Sequence, residues 1–142
     1  MTAATRTVVD ASVALKWYFE EPGKADADRV LEDAIRGERD LLAPDLIAAE
    51  FANVLWKKIR RGECTPEIAE EILELWETDR PELVSSADLA SRGLVLATAL
   101  DHSVTDCLYL AAAIEYEAAF VTADRRLARA ARTFLADVAV VR

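Results

Sequence analysis

The sequence predicts an α/β fold in which helices cover both faces of a mainly parallel sheet. Five short apolar runs alternate along the chain with stretches of helical periodicity. The runs are continuously apolar and do not alternate with polar residues, which is typical of strands that are buried on both faces. Alternation of strands and helices favours a parallel sheet, because parallel neighbours need a crossover between them.

The predicted elements follow one another from the N-terminus to the C-terminus. The strands are Thr7–Val9, Asp40–Ala43, Glu82–Ser85, Ala119–Thr122 and Val138–Val141. The helices are Ser12–Phe19, Ala25–Arg36, Leu46–Arg60, a segment from Thr65 to about Asp79, Ala87–Asp101, Thr105–Glu117 and Arg125–Phe134. Gly37 ends the second helix, and Thr65 followed by Pro66 starts the fourth with a capping residue and a proline at the first helical position.

The composition predicts one globular domain over residues 1–142. The chain is 53% hydrophobic and 30% charged, which separates it from disordered sequences. No apolar run approaches the ~20 residues that a membrane-spanning helix needs, and the N-terminus lacks the apolar centre of a signal peptide. Cys64 and Cys107 are too far apart for a metal-binding motif, and we expect Cys107 to be a buried, reduced thiol. We therefore expect a cytoplasmic protein with no membrane partner.

The charge distribution limits the classes of partner. A net charge of −9 argues against tight, nonspecific binding to nucleic acid. Residues 57–61 nevertheless carry four basic side chains and no acid, and residues 123–142 hold five arginines against two aspartates. A phosphate-bearing partner is compatible with the sequence if these basic stretches lie near the functional site.

Four acidic residues lie either where an apolar stretch meets a helix start or on the inward face of a helix. They are Asp10, Glu50, Asp106 and Asp124. Parallel sheets bind ligands at the carboxyl ends of their strands, and Asp10 and Asp124 follow the first and fourth strands. The two carboxylates converge if those strands are neighbours, an adjacency that the sequence leaves as an assumption. Carboxylates from distant parts of a chain repel one another unless a cation lies between them, so the pattern predicts a divalent-metal site.

Most of these acids also have a structural explanation when taken singly. Asp10 and Asp124 can cap the helices that follow them, and the stretch Ser103–Asp106 has the spacing of a capping box. Glu50 differs, because its neighbours one helical turn away are apolar and place it on a buried stripe. A carboxylate in that position needs a cation or several hydrogen-bond donors.

The ligand chemistry favours Mg²⁺ or Mn²⁺. Both ions prefer oxygen ligands and accept phosphate oxygens from a substrate. Ser12 and Thr122 each lie two residues from an acid, where a hydroxyl can orient a carboxylate or bond a metal-bound water; plain turn or capping roles are the alternative. His102, the single histidine, is predicted to be a helix-terminal or surface residue rather than a general base.

Two further sets of residues are candidates for binding partners. Arg125, Arg126 and Arg129 place at least two guanidinium groups on one helix face beside Asp124. They can hold a phosphate backbone or form ordinary surface charge. Trp17, Phe19 and Trp56 are candidates for a groove that accepts an amphipathic helix, and the alternative is that all of them belong to the core.

The acidic helix that begins near Thr65 is predicted to bury one apolar stripe. The stripe consists of Ile68, Ile72, Leu75 and Trp76, with carboxylates on the outer face.

Several stretches resemble the motifs of PIN-domain proteins of the VapC toxin family. Val9–Trp17 resembles the opening of these proteins, and Asp106–Ala111 and Val121–Leu127 resemble their third and fourth acidic motifs in order and spacing. Glu50 matches the second motif. Each motif is weak alone, but four in order are specific, and the resemblance covers nearly the whole chain. A minor departure is Cys107, where a small apolar residue is common.

The resemblance implies a three-layer α/β/α sandwich with a parallel sheet of about five strands, formed by a single PIN domain. It implies a Mg²⁺- or Mn²⁺-dependent endoribonuclease with Asp10, Glu50, Asp106 and Asp124 as catalytic residues and metal ligands, supported by Thr122 and Ser12. Family members are usually toxins of type II toxin–antitoxin pairs and are commonly homodimers. The implied partners are an RNA substrate and a small DNA-binding antitoxin that inserts a C-terminal segment into a groove of the toxin.

The predicted reaction is hydrolysis of RNA phosphodiesters by a metal-activated water. The alternative is a non-catalytic module on the same fold that sequesters RNA or a protein partner and binds no metal at the acidic site. A phosphatase or phospho-accepting domain fits poorly, because Ser12 stands where a dehalogenase-like pattern has a second acid and the final third of the chain has no lysine.

Overall fold

The computed structural model describes residues 3–142, which form a five-stranded sheet and seven helices. The strands are β1 (Thr5–Val9), β2 (Arg39–Pro44), β3 (Glu82–Val84), β4 (Ala119–Thr122) and β5 (Val138–Val140). The helices are α1 (Ala11–Lys16), α2 (Lys24–Ile35), α3 (Leu46–Arg60), α4 (Pro66–Asp79), α5 (Ser86–Leu100), α6 (Val104–Glu115) and α7 (Arg125–Ala131).

The sheet is parallel throughout, with the strand order β3-β2-β1-β4-β5. From β1 the chain moves outward through β2 to β3 and then returns to β4 on the other side of β1. The predicted α/β sandwich with a parallel five-stranded sheet is therefore confirmed. The adjacency of the first and fourth strands is also present, because residues 7–9 pair with residues 119–121. This is the point where strand order reverses and where open α/β sheets bind ligands.

The element bounds agree with the sequence prediction to within one residue at most ends. Helix α3 begins and ends as predicted, after Pro44-Asp45 and before Gly62. Helix α1 ends at Lys16, three residues earlier than predicted, because the chain turns there and the Lys24 ammonium group binds the carbonyls of Lys16 and Trp17. Helix α7 ends at Ala131 and not at Phe134. The amides of residues 132–135 bond to the carbonyls of residues 128, 130 and 131, which closes the last turn and does not extend the helix.

Helix α6 is the centre of the core. Residues 107–113 are all buried, so the helix is covered on every side. Cys107 is fully buried and free, as predicted. Helix α5 packs closely on α6 at Gly93, where an added Cβ atom would lie 2.8 Å from Cδ2 of Leu108. This contact holds the N-terminal half of α6 in place, from which Asp106 projects.

The inner face of α4 differs from the prediction. Ala69, Ile72 and Trp76 are buried, but Ile68 and Leu75 are exposed. The stacking of Trp76 on Phe51, with ring centroids 4.6 Å apart, fixes the rotation of the helix. Residues 69, 72 and 76 then share the inward face, and residues 68 and 75 lie outside it.

Among residues 3–142, no single helix is long and apolar enough to cross a membrane. Helices α5 and α6 reach such a length and apolar composition only when taken together, and the chain bends by 113° between them.

Candidate active site

Asp10 lies at the carboxyl end of β1, where the strand passes into α1. Its side chain is 7% exposed, and its Oδ1 atom caps α1 by accepting a bond of 3.2 Å from the amide of Val13. The capping role considered from the sequence is therefore present. A carboxylate has about four acceptor positions, and Val13, Ser12 and Thr122 occupy three of them, so Oδ2 keeps capacity for another ligand.

Two hydroxyl groups hold the Asp10 carboxylate in place. Ser12 donates to Oδ1 and Thr122 donates to Oδ2, each over 2.5 Å. Ser12 Oγ also accepts a bond from the amide of Ala123, so it joins β1 to the loop after β4. The two hydroxyls therefore orient the carboxylate and tie together the ends of the two central strands.

Asp124 follows β4 at the same edge of the sheet. Its amide donates to Thr122 Oγ1 over 3.0 Å, which places it one bond away from the Asp10 network. Its Oδ1 atom caps α7 by accepting from the amide of Leu127, and the residue is exposed to solvent. Asp124 is thus the most exposed of the four acids, and it lies beside the strand ends.

Glu50 reaches the site from α3. The residue is intermediate in exposure, less buried than the sequence pattern suggests, and its Oε1 atom accepts a bond of 2.5 Å from the hydroxyl of Tyr109 on α6. The carboxylates of Glu50 and Asp10 repel each other, so the two groups share one electrostatic environment.

Asp106 lies in the first turn of α6, and its amide donates to the capping hydroxyl of Ser103. Its carboxylate repels that of Glu50. The His102 Nδ1 atom lies 4.0 Å from Asp106 Oδ2, and the histidine side chain is only 7% exposed. His102 is therefore helix-terminal, as predicted, in the connection between α5 and α6, but it is not a surface residue, because the imidazole is enclosed beside Asp106.

The electrostatics of the site are those of crowded carboxylates. Burial raises the pKa of Asp10 from 3.8 to about 6, against the bonds from Ser12, Thr122 and Val13 that lower it. Burial also raises the pKa of Glu50, and repulsion by Asp106 adds to this effect. None of the ion pairs among residues 3–142 involves Asp10, Glu50 or Asp124.

The donor set fits a hard divalent cation in its chemistry. The converging side chains offer carboxylate and hydroxyl oxygens, which are the ligands that Mg²⁺ and Mn²⁺ prefer. Within the described part of the chain, no three of these acids, histidines or cysteines stand close enough together to hold an ion as they are. Mutual repulsion separates like charges, so a cation would have to draw the more mobile carboxylates inward.

The arginines predicted beside Asp124 lie on α7, with Arg125 and Arg126 at its start and Arg129 in its last turn. Arg125, Arg126 and Arg129 are all exposed, and Arg126 donates to the carbonyl of Asp101 over 3.3 Å. The structure therefore brings positive charge to the rim of the acidic site.

The predicted aromatic groove is wrong for Trp17. Its side chain belongs to the core, 7% exposed, with Nε1 bonded to the carbonyl of Ala27. Phe19 is half-buried beneath the ammonium group of Lys58. Trp56 is 50% exposed and borders a cleft between α3 and α4. The three aromatic residues do not form one groove, because the turn after α1 directs Trp17 inward.

The chain matches a known family over most of its length. The PIN domain model matches residues 7–133. The chain belongs to the PIN-domain family. Ribonuclease VapC3 from Pyrobaculum aerophilum is 37% identical over 127 residues, which cover 87% of this chain and 92% of that protein, so this PIN domain is of the VapC type. The crystal structure of PAE2754 from Pyrobaculum aerophilum has a TM-score of 0.72 at 22% identity, covering 99% of this chain and 88% of that chain. That likeness shows the fold.

Two polar residues of this PIN domain site were not found from the sequence. Tyr109 binds Glu50 directly, and His102 lies beside Asp106. Tyr109 is three residues after Asp106 on a helix, so the two share one face. That spacing is a usable signal, but the apolar residues around Tyr109 are equally typical of an ordinary core position.

Proposed function

We propose that this PIN domain is a Mg²⁺- or Mn²⁺-dependent endoribonuclease and the toxin of a type II toxin–antitoxin pair. The observation that carries the proposal is the buried Asp10 carboxylate at the reversal of strand order, held by two hydroxyls in the field of Glu50. Such a cluster is costly unless it serves to bind a cation. The 37% identity to Ribonuclease VapC3 supports RNA as the substrate class.

In the proposed mechanism, Asp10, Asp106 and Asp124 would hold the cation, and Glu50 would serve as a further ligand or as a base beside it. A divalent ion supplies acidification of a bound water and neutralisation of charge on the phosphoryl group. Ser12 and Thr122 orient Asp10 through the observed bonds to both of its oxygens. The ionised carboxylate is then kept in one position, which conserves the geometry of the site during the reaction.

The RNA backbone is proposed to lie along the exposed arginines of α7. Arg125, Arg126 and Arg129 are adjacent to Asp124 and can bind the phosphates that flank the scissile one. Single-stranded or looped RNA fits this arrangement better than a duplex, because splayed nucleotides can reach a recessed carboxylate.

The test is the cleavage rate of Asp10→Asn on an RNA pool in Mn²⁺. The amide keeps the shape of the side chain but removes its charge, so cleavage should fall at least ~100-fold with the fold intact. Asp40→Asn, at the opposite end of the sheet and exposed, should cleave like the wild type. Full activity of Asp10→Asn would exclude the metal assignment, and absence of any Mn²⁺-dependent thermal shift in the wild type would favour the sequestering module.

The antitoxin is proposed to bind the cleft between α3 and α4. The cleft has a volume of about 180 Å³. It is lined by Ala52, Leu55, Trp56, Ile59, Pro66, Ala69, Glu70 and Leu73, which are apolar apart from Glu70. An amphipathic segment with apolar residues at helical spacing fits such a cleft. Trp56→Ala should weaken antitoxin affinity; unchanged affinity with the fold preserved would exclude this cleft.

We also propose that the protein forms a homodimer and is located in the cytoplasm. Support for self-association comes from the outer face of α5. On this face residues 90, 91, 94, 95 and 98 are exposed and uncharged, bordered by the exposed Asp88 and Arg92, and Leu94 and Val95 are 60% and 67% exposed. Two copies of a chain with net charge −9 repel each other, so a neutral face is where they can approach.

A further inference from the structure

Tyr109 occupies an unusual position for a core residue. Its side chain is 2% exposed, on a helix whose neighbouring residues 107–113 are all buried. Its hydroxyl nevertheless points at the acidic site, because Tyr109 lies one turn after Asp106 on α6. The phenol is therefore anchored in the core at one end and placed among the carboxylates at the other.

The hydroxyl forms a short bond to a side chain that has few other constraints. It donates to Glu50 Oε1 over 2.5 Å and joins α6 to α3. A glutamate has three rotatable side-chain bonds and loses considerable entropy when it is fixed in one rotamer. Since Tyr109 engages Oε1, the bond leaves Oε2 as the oxygen that can face Asp10 and Asp106.

We infer that Tyr109 is a positioning residue, which sets the Glu50 carboxylate in the orientation needed to bind the cation. This inference rests on the proposed function. Groups that hydrogen-bond to a ligating carboxylate fix its direction, and their loss typically lowers metal affinity 10–100-fold. The alternative is that Glu50 only satisfies the buried hydroxyl of Tyr109. Removing that hydroxyl would then leave the affinity for metal unchanged.

The test is the affinity of the full chain for Mn²⁺ alone, measured by isothermal titration. Tyr109→Phe keeps the buried ring and removes the hydroxyl, and we expect it to weaken Mn²⁺ binding about tenfold. In a Glu50→Ala background there is no carboxylate to position, so the same substitution should change the affinity by less than about twofold.

Tyr18→Phe is the matched control. It also removes a hydrogen bond that a phenol donates to a carboxylate, in this case from Tyr18 to Asp79 over 2.9 Å. Both residues lie outside the acidic site. Its Mn²⁺ affinity should equal that of the wild type, and thermal unfolding of every variant reports whether the core is intact.

Two results would overturn the inference while leaving the proposed function standing. One is wild-type Mn²⁺ affinity in Tyr109→Phe. The other is an equal loss of affinity with and without Glu50, which would mean that the substitution acts through the core. A wild-type protein that binds no Mn²⁺ would overturn both the inference and the metal-dependent function.

Discussion

The Asp10 carboxylate is held between opposing effects. Burial favours its neutral form, and the donors from Ser12, Thr122 and Val13 favour its charged form. Burial dominates in the metal-free protein and raises the pKa of Asp10 to about 6. Ionised Asp10 therefore destabilises the metal-free fold at neutral pH, and a bound cation would reverse this effect.

This balance predicts a pH-dependent difference in stability between the wild type and Asp10→Asn. The folded protein holds the proton up to about pH 6 and the unfolded chain only up to the ordinary value of 3.8, so the stability contributed by this proton is lost as pH rises through 6. The shift corresponds to about 3 kcal/mol. Asp10→Asn should therefore gain up to ~3 kcal/mol on the wild type between pH 4 and pH 7.

The measurement is urea unfolding of both proteins in EDTA across that pH range. Asp40→Asn, an exposed substitution, controls for loss of one negative charge. A stability difference between the wild type and Asp10→Asn that stays constant with pH would show that Asp10 does not titrate as a buried carboxyl.

The residues that the sequence missed are those whose role depends on a residue of another element. Asp10, Asp106 and Asp124 can be identified from the sequence because they lie beside strand ends or helix starts. Tyr109 acquires its role from Glu50, 59 residues away, and Trp17 is buried because Lys24 closes the turn that follows it. Local periodicity carries no information about such pairs.

At the scale of elements, the contact of α5 with α6 positions Asp106. Gly93 lets α5 approach Leu108 closely, and Leu108 lies two residues from Asp106. A glycine in mid-helix lowers intrinsic helix stability by ~1 kcal/mol relative to alanine. Its place here is explained by the space that the neighbouring helix occupies.

Gly93→Leu should therefore lower the free energy of unfolding by about 1–3 kcal/mol, since the added side chain overlaps Leu108 and forces α6 to move. Ala99→Leu, exposed on the same helix but outside the proposed dimer face, is the control and should change stability by less than ~0.5 kcal/mol. Urea unfolding of the two variants checks the prediction. Equal stabilities would mean that the helix contact can yield without cost.

Element bounds are predictable where the sequence marks them. Helix α3 was predicted at both ends because proline-aspartate and glycine mark them. The rotation of α4 was not, because its sequence offers two overlapping apolar stripes and the stacking of Trp76 on Phe51 selects one. Packing against α3 decides which stripe faces inward, and the sequence of α4 alone does not contain that information.

At the scale of the whole molecule, the strongly negative charge restricts where two copies can meet. The uncharged outer face of α5 predicts that Leu94→Glu will convert a dimer to a monomer, because it places two new carboxylates in the interface. Light scattering after size exclusion should give twice the 15.6 kDa chain mass for the wild type and one chain mass for the variant.

Ile35→Glu is the control for this prediction, since it replaces another exposed apolar residue, 76% exposed, at the end of α2. It should stay dimeric. A wild-type monomer, or a dimer that survives Leu94→Glu, would exclude the α5 face as the interface.

The strand order also belongs to this scale, and the sequence could not provide it. The convergence of Asp10 with Asp124 depends on β1 lying beside β4, which is decided by how the whole chain winds through the sheet. The motifs predicted the acids; the topology explains why Asp10 and Asp124 lie at the same edge of the sheet.

The measurement that tests the central claim most directly is cleavage of a mixed transfer and ribosomal RNA pool by the purified, antitoxin-free protein. Wild type and Asp106→Asn are compared in Mn²⁺, in Mg²⁺ and in EDTA. We expect discrete fragments from the wild type in either metal, and none in EDTA or from Asp106→Asn. Fragments that persist in EDTA, or that Asp106→Asn produces at the wild-type rate, would contradict a metal-dependent nuclease at this acidic site.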